Sequence, residues 1–342
     1  MQLAALALLA LACESAPPAR EIPPEGTTPA PPEASSLPLA ALSPARTLAD
    51  LTALSERAAD ACGDAEASSR AYLTEQLQRT GLTVQTLSTP EPSPATPGQA
   101  PRSFAHLIAT APGASSDLFV LVAPLAQRGA REGDAVGEGE SGAALLLELA
   151  RVQSTRSLPY TTRFVWLAGR DATGAEALAA QMAALGELQR VRLLVAIERV
   201  CRADLRIARD LGSQRVPREE FFDAAARTGR ERFFPRNQDY ETVESIHLAF
   251  RGAGVRPVVA VVSASSSPGA KAGDTCSAPS LDAVGAVTLD ALDAIGRRLA
   301  KIDRFSRAPL ITPAADTAAT PSLATPESSA PPAPTSGETV NP

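Results

Sequence analysis

The run Phe164-Val165-Trp166-Leu167-Ala168-Gly169-Arg170-Asp171-Ala172-Thr173-Gly174 constrains the chain more than any other. An apolar stretch ends abruptly in a glycine and two opposite charges, and a helix-forming segment follows. A strand buried on both faces of a parallel sheet reads this way when its carboxyl end delivers polar side chains. In open α/β sheets that edge is where sites form. Arg170 and Asp171 are therefore the first candidates for function.

The flanking sequence sets how much chain can share that sheet. Residues 14–47 and 306–342 are dominated by Ala, Pro, Ser, Thr and Glu. Such segments bury too little apolar surface to offset the entropy of ordering, and they read as a disordered tether and tail. About 260 residues remain, which suits one α/β domain spanning 48–305. The formal net charge is −6. Lys271 and Lys301 are the only lysines. No basic cluster offers a footprint for phosphodiester backbones, which argues against a nucleic-acid partner.

Residues 1–13 form a short apolar run, MQLAALALLALAC, too short to span a bilayer and typical of a secretory signal. Cys13 after Leu11-Ala12 is similar to a bacterial lipobox, so Cys13 is the expected lipidation site and the chain is expected in the cell envelope or periplasm. Membrane contact would then be by lipid anchor only. Export permits disulfides. Cys62, Cys201 and Cys276 remain, enough for one pair and one free thiol, without CxxC spacing.

Hydrophobic periodicity predicts helices over 48–80, with a break at Gly63-Asp64, and over 141–152, 172–185, 218–227, 245–252 and 281–302. The 141–152 helix is expected to be capped by Ser141. Strands are predicted at 82–87, 104–110, 118–123, 161–167, 191–197, 205–208 and 255–262. Pro112-Gly113-Ala114-Ser115 suggests a hairpin between the second and third of these. Alternation of strands and helices implies a three-layer α/β sandwich, with a mostly parallel central sheet and helices on both faces.

Polar groups fall where strands give way to loops or helices: Glu138 before a helix, Asp171, Glu198 and, further on, His247. Carboxylates and an imidazole at one sheet edge are the ligand types of a zinc centre, though acids at strand ends also cap helices. His106 lies inside an apolar strand and reads as a satisfied core histidine. Trp166 reads as core, and Arg199 and Arg202 as facing solvent or pairing with acids. The aromatic group Phe233, Phe234 and Tyr240 reads as packing over the sheet edge or lining a mouth.

Six segments in order resemble the zinc aminopeptidases and glutaminyl cyclases of metallopeptidase family 28. They are the 65–81 helix with its strand, His106-Leu107-Ile108-Ala109-Thr110-Ala111-Pro112-Gly113, Glu138-Gly139-Glu140-Ser141-Gly142 with its helix, Arg163-to-Asp171, Ser245-Ile246-His247 to Val255, and Asp274-Thr275. The resemblance spans 48–302 and implies the family's fold. It also places the metal ligands at Glu138, Asp171, Glu198 and His247, and the general base at Arg170.

The departures bear on activity. Pro124-Leu125-Ala126 stands where the family's first histidine ligand falls. Each carboxylate ligand differs in length from the family's, with Glu138 and Glu198 for Asp and Asp171 for Glu. Arg170 replaces the general base, and a guanidinium stays protonated and cannot accept. Loss of a positioned base costs about 10²–10⁴-fold in rate. The expectation is a catalytically inactive envelope protein with a binding or scaffolding role toward peptides or another envelope protein, with no cofactor. The alternative is a single-zinc aminopeptidase or glutaminyl cyclase using Glu138, Asp171 and His247. A third expectation is that Arg170 neutralises the acids where metal once did.

Overall fold

The computed structural model describes residues 41–59, 64–91, 103–125, 138–169, 172–209, 212–236, 245–263 and 276–306. Arg170, Asp171, Cys13, Cys62, Tyr240 and Asp274-Thr275 lie outside the described residues, as do the segments read as signal, tail and most of the tether. In chain order the elements are α1 (Pro44–Ala59), α2 (Ala65–Gln78), β1 (Thr83–Pro90), β2 (Ser103–Ala111) and β3 (Gly113–Pro124). Next come α3 (Ser141–Ser154), β4 (Leu158–Leu167), α4 (Thr173–Ala184), β5 (Val191–Glu198) and β6 (Leu205–Ile207). The last are α5 (Arg215–Arg227), α6 (His247–Gly252), β7 (Val258–Ser263) and α7 (Ala278–Ser306).

The strands form one sheet in the order β1-β2-β4-β3-β5-β7-β6. Its centre, β4-β3-β5-β7, is parallel. The β1-β2, β2-β4 and β6-β7 pairs are antiparallel. Alternate strand residues serve opposite faces. Leu121, Phe164, Trp166, Val195 and Val259 meet α1, α2, α3, α5 and α7 on one face. Val120, Val165, Leu194 and Ala260 meet α4 and α6 on the other. Those central strands read as continuous apolar runs because both faces are covered.

The structure corrects three details. The Pro112-Gly113 turn does not make a hairpin: β4 inserts between β2 and β3, antiparallel to one and parallel to the other. Gly113 is needed there because a Cβ would sit 2.1 Å from the Tyr160 carbonyl carbon of β4. Second, Ser141 is the first helical residue of α3 and does not cap it; Glu140 holds the N-cap position without a side-chain hydrogen bond.

Third, the folded chain begins upstream of Leu48, with α1 starting at Pro44. The reason is a buried acid on α3. Glu148 is fully buried. Its Oε1 accepts from the Ser43 N–H at 2.7 Å and Arg46 Nη2 at 2.6 Å, and its Oε2 from Arg46 Nε at 2.8 Å. Arg151 of the same helix pairs with Asp50 of α1, and Tyr72 of α2 donates to Asp50 Oδ1 at 2.6 Å. Two arginines and two acids compensate one another, as burial of charge requires. Burial and the Asp50 carboxylate together push the Tyr72 phenol well above its ordinary pKa.

Candidate functional site

The parallel strands deliver Pro124, Leu167, Glu198 and Ser263 to one edge of the sheet. At that edge α3 is seated close to β5. A Cβ on Gly142 would lie 2.3 Å from the Ile197 carbonyl oxygen, so glycine allows the contact. Ser141 Oγ ties the two chains together, donating to the Glu138 carbonyl at 2.7 Å and accepting from the Val200 N–H at 2.8 Å.

This seating buries Glu138, which is 1% exposed. Its Oε2 accepts from Arg202 Nη1 at 3.3 Å. Arg202 also approaches Asp204, at 3.8 Å. A cation therefore does face the leading acid of the site, supplied by the chain after β5. Glu198 lies at the end of β5, and its Oε1 accepts from the Ser245 hydroxyl and from the Ile246 N–H at 3.0 Å. Both donors precede α6, so the carboxylate satisfies the helix's otherwise open N-terminus. His247 opens α6 and is 1% exposed.

Of the two readings of Arg199, facing solvent or pairing with acids, burial removes the first: it is 6% exposed. It is also the one non-glycine residue with positive φ among the described residues, at 49°. Its carbonyl accepts from both the N–H and the hydroxyl of Ser263, which holds the end of β7 against this left-handed turn. Two residues on, Cys201 is joined to Cys276. The Ser277 N–H donates to the Cys201 carbonyl at 2.7 Å, so the segment entering α7 is fixed beside the end of β5.

Arg170 and Asp171 lie outside the described residues, but the residues before them, Ala168 and Gly169, are held at defined positions. The Ala168 N–H donates to His106 Nδ1 at 3.1 Å, and the Gly169 N–H donates to Glu66 Oε1 at 3.0 Å. Because His106 accepts through Nδ1, its proton sits on Nε2 and points to Thr89 Oγ1, 2.8 Å away. The imidazole is fully buried, and burial holds its pKa down at about 4. The satisfied-core reading of His106 stands, with the addition that it anchors the strand exit. Gly169 adopts φ 99°, and a Cβ there would meet the Phe104 ring at 2.8 Å. A Cβ on Gly174 would lie 1.7 Å from the Ala168 carbonyl oxygen, which folds α4 back tightly on β4.

Glu138 thus lies ahead of α3, Glu198 ends β5 and His247 opens α6. Among the described residues no three His, Cys, Asp or Glu side chains stand close enough to hold a metal ion. Pro124 closes β3 with no ligating atom. Trp166 is core as expected, its indole N–H donating to the Ala143 carbonyl at 3.0 Å. Phe234 is 2% exposed and belongs to the core. Arg202 pairs with acids, one of the two readings given for it, while sequence reasoning missed which acid it meets and the roles of Ser245 and Glu66. Each acts through a partner 47 or more residues away, a separation that local periodicity does not report.

No family model matches the sequence, and no curated protein does. Solved structures do. A glutaminyl cyclase from an Acidobacteriales bacterium superposes with a TM-score of 0.60 at 18% identity, covering 82% of this chain and 100% of that one. BSAP, a zinc aminopeptidase from Bacillus subtilis, gives 0.59 at 12% identity, covering 75% and 95%. A glutaminyl cyclase from Porphyromonas gingivalis gives 0.60 at 15% identity, covering 74% and 98%. The chain has the α/β fold of the zinc aminopeptidases and bacterial glutaminyl cyclases across most of its length.

Proposed function

We propose that this protein keeps the aminopeptidase and glutaminyl cyclase architecture without the hydrolytic or cyclising chemistry, and serves as a binding or scaffolding module of the cell envelope. The observation that carries this reading is the Arg202 guanidinium on the Glu138 carboxylate. In the resemblance Glu138 holds the bridging-ligand position. Here one of its oxygens is bound to a permanent cation, which both competes with a metal and repels it. Glu198 has likewise given an oxygen to two hydrogen-bond donors.

These residues do not fit a zinc centre. Zinc needs short, directed bonds to ligands freed of other cations. Here Glu138 Oε2 and Glu198 Oε1 are instead engaged by the chain's own donors, the kind of arrangement that lets acids stay buried. Arg170 at the base position adds a second reason, because it offers no lone pair to take a proton from water or substrate.

Envelope placement rests on the apolar run ending at Cys13 and is supported by the Cys201–Cys276 disulfide, a bond that persists in oxidising compartments. Among the described residues no helix is long and apolar enough to cross a membrane, and the lipid on Cys13 would be the anchor. Peptides, or another envelope protein, are the partners this fold and placement suit.

The test is elemental analysis of the purified full chain, together with turnover of aminoacyl and N-terminal glutaminyl reporter peptides with and without added zinc. We expect zinc well below one equivalent and turnover at the buffer rate. One tightly held zinc per chain with turnover that chelation abolishes would establish the rival single-zinc enzyme on Glu138, Asp171 and His247. In cell fractionation, Cys13→Ser should move the protein out of the membrane fraction.

A further inference from the structure

Far from the Glu138 edge, the start of β4 and the last turns of α7 enclose a groove of about 600 Å³. β4 is 10 residues long. At about 3.3 Å per residue, its two ends, and hence the groove and the candidate site, are about 30 Å apart. The groove is lined by Ser157, Leu158 and Pro159 on the strand side, and by Arg297, Lys301 and Arg304 on the helix side.

The helix residues recur at i, i+4 and i+7, the spacing that places side chains on one face of a helix. They present three cations along about 10 Å of helix axis. Gly296 sets how deep the groove is, because its missing side chain lets α7 approach Pro159, where a Cβ would come within 2.8 Å of the ring.

No acidic residue lines this groove among the described residues. The nearby acids are engaged elsewhere. Asp293 pairs with Arg156 at 3.2 Å. Asp303 accepts from Tyr160 at 2.7 Å and pairs with Arg192 at 3.0 Å. Some exposed arginines elsewhere find carboxylates, Arg79 with Glu75, Arg227 with Glu220 and Asp290, and Arg236 with Glu219 and Asp223, whereas Arg209 and Arg256 donate to backbone carbonyls. In a chain of net charge −6, this groove gathers three cations and, among the described residues, no carboxylate on one concave surface.

We propose that this groove is a binding site for a phosphate group carrying an apolar substituent. Arg297, Lys301 and Arg304 supply charge for a phosphate, and the Ser157 hydroxyl supplies a donor. A lone carboxylate would be satisfied by a single bidentate arginine, whereas three cations match an anion of higher charge with several acceptor oxygens. Leu158 and Pro159 provide an apolar floor for the substituent. The volume is that of ordinary small-ligand sites. The site is independent of the zinc question, because no residue is shared with the Glu138 edge.

Two sources carry this chemistry, a soluble phosphate ester and a phospholipid headgroup, and two measurements on the full chain separate them. One is equilibrium dialysis against labelled inorganic phosphate at low ionic strength. The other is sedimentation of the full chain carrying Cys13→Ser, which removes the proposed lipid anchor, with vesicles of phosphatidylglycerol in phosphatidylcholine and with phosphatidylcholine vesicles alone as the control. Saturable one-site binding of phosphate identifies the soluble source. Binding to phosphatidylglycerol vesicles without saturable phosphate binding identifies the headgroup.

In either case, combined Arg297→Gln, Lys301→Gln and Arg304→Gln should weaken the interaction at least tenfold, and Lys301→Glu alone should weaken it measurably. All three residues are exposed, so the variants should keep the wild-type circular dichroism and melting curve. Absence of binding in both measurements, or unchanged binding by the folded triple variant, would overturn the proposal.

Discussion

His106 is the residue whose chemistry most directly couples solution conditions to the site. It is neutral in the fold, accepting from Ala168 and held by Thr89, with a pKa lowered from 6.5 to about 4 by burial. Unfolded chains take up a proton near 6.5, so between about 4 and 6.5 the unfolded state binds more protons than the native one. Stability is then complete above 6.5 and falls on acidification through that window, by about 3 kcal/mol in total. Urea titrations at pH 7 and pH 4 should show that loss, and His106→Gln should remove most of the pH slope. An equal slope in the variant would assign the effect to other groups.

Arg202 and Glu138 allow a complementary measurement. The two side chains are 11% and 0% exposed. Removing one member of a buried pair costs about 3–5 kcal/mol, because the other charge is left uncompensated. Arg202→Met should therefore destabilise by that amount in denaturant unfolding, and adding Glu138→Gln should restore much of it. The sequence did not show this pair. It marked Glu138 as a site acid and read Arg202 as facing solvent or pairing with an unnamed acid, since nothing local indicates which of the many arginines will face which acid across 64 positions of chain. The same blindness hid the Ser245 hydroxyl on Glu198. By contrast, the place of Glu198 was legible, because it ends the apolar run of β5 and parallel strands end at one edge.

At the level of elements, the long apolar strands and the amphipathic helices were read correctly, and the connection at Pro112-Gly113 was not. A turn between two apolar runs looks like a hairpin when only neighbours in sequence are considered. The true partner, β4, enters the sheet later and separates β2 from β3. The start of α1 was misplaced for a related reason. Pro44 to Thr47 reads as tether by composition, yet Ser43 and Arg46 are drawn into the fold by Glu148, about 100 residues away.

Glycines report how closely elements must meet. Gly174→Ala would force a methyl into the Ala168 carbonyl, where neither backbone can yield cheaply, and should destabilise by about 3 kcal/mol. Gly252→Ala, with open space around it, should instead be neutral or stabilising by about 0.4–1 kcal/mol. Thermal melts of the two variants check this contrast.

Across the molecule, one half of the sheet is joined to the closing helix by a covalent bond. Cys201 and Cys276 are 75 residues apart in sequence. Closing a loop of that size restricts the unfolded chain and stabilises the fold by about 4 kcal/mol in the chain-entropy account. Reduction under otherwise native conditions should lower the unfolding midpoint accordingly. Sequence alone left Cys62, Cys201 and Cys276 as equal candidates, because pairing depends on which strand ends the sheet brings together.

That bond also makes the span between its cysteines, with β6, α5, α6 and β7 inside it, a closed ring in the chain's connectivity. A single protease cut anywhere from Arg202 to Thr275 leaves no piece free to leave. The nicked protein should migrate as one species on a non-reducing gel and as two after reduction, so a cleaved surface would persist without shedding either half of its sheet.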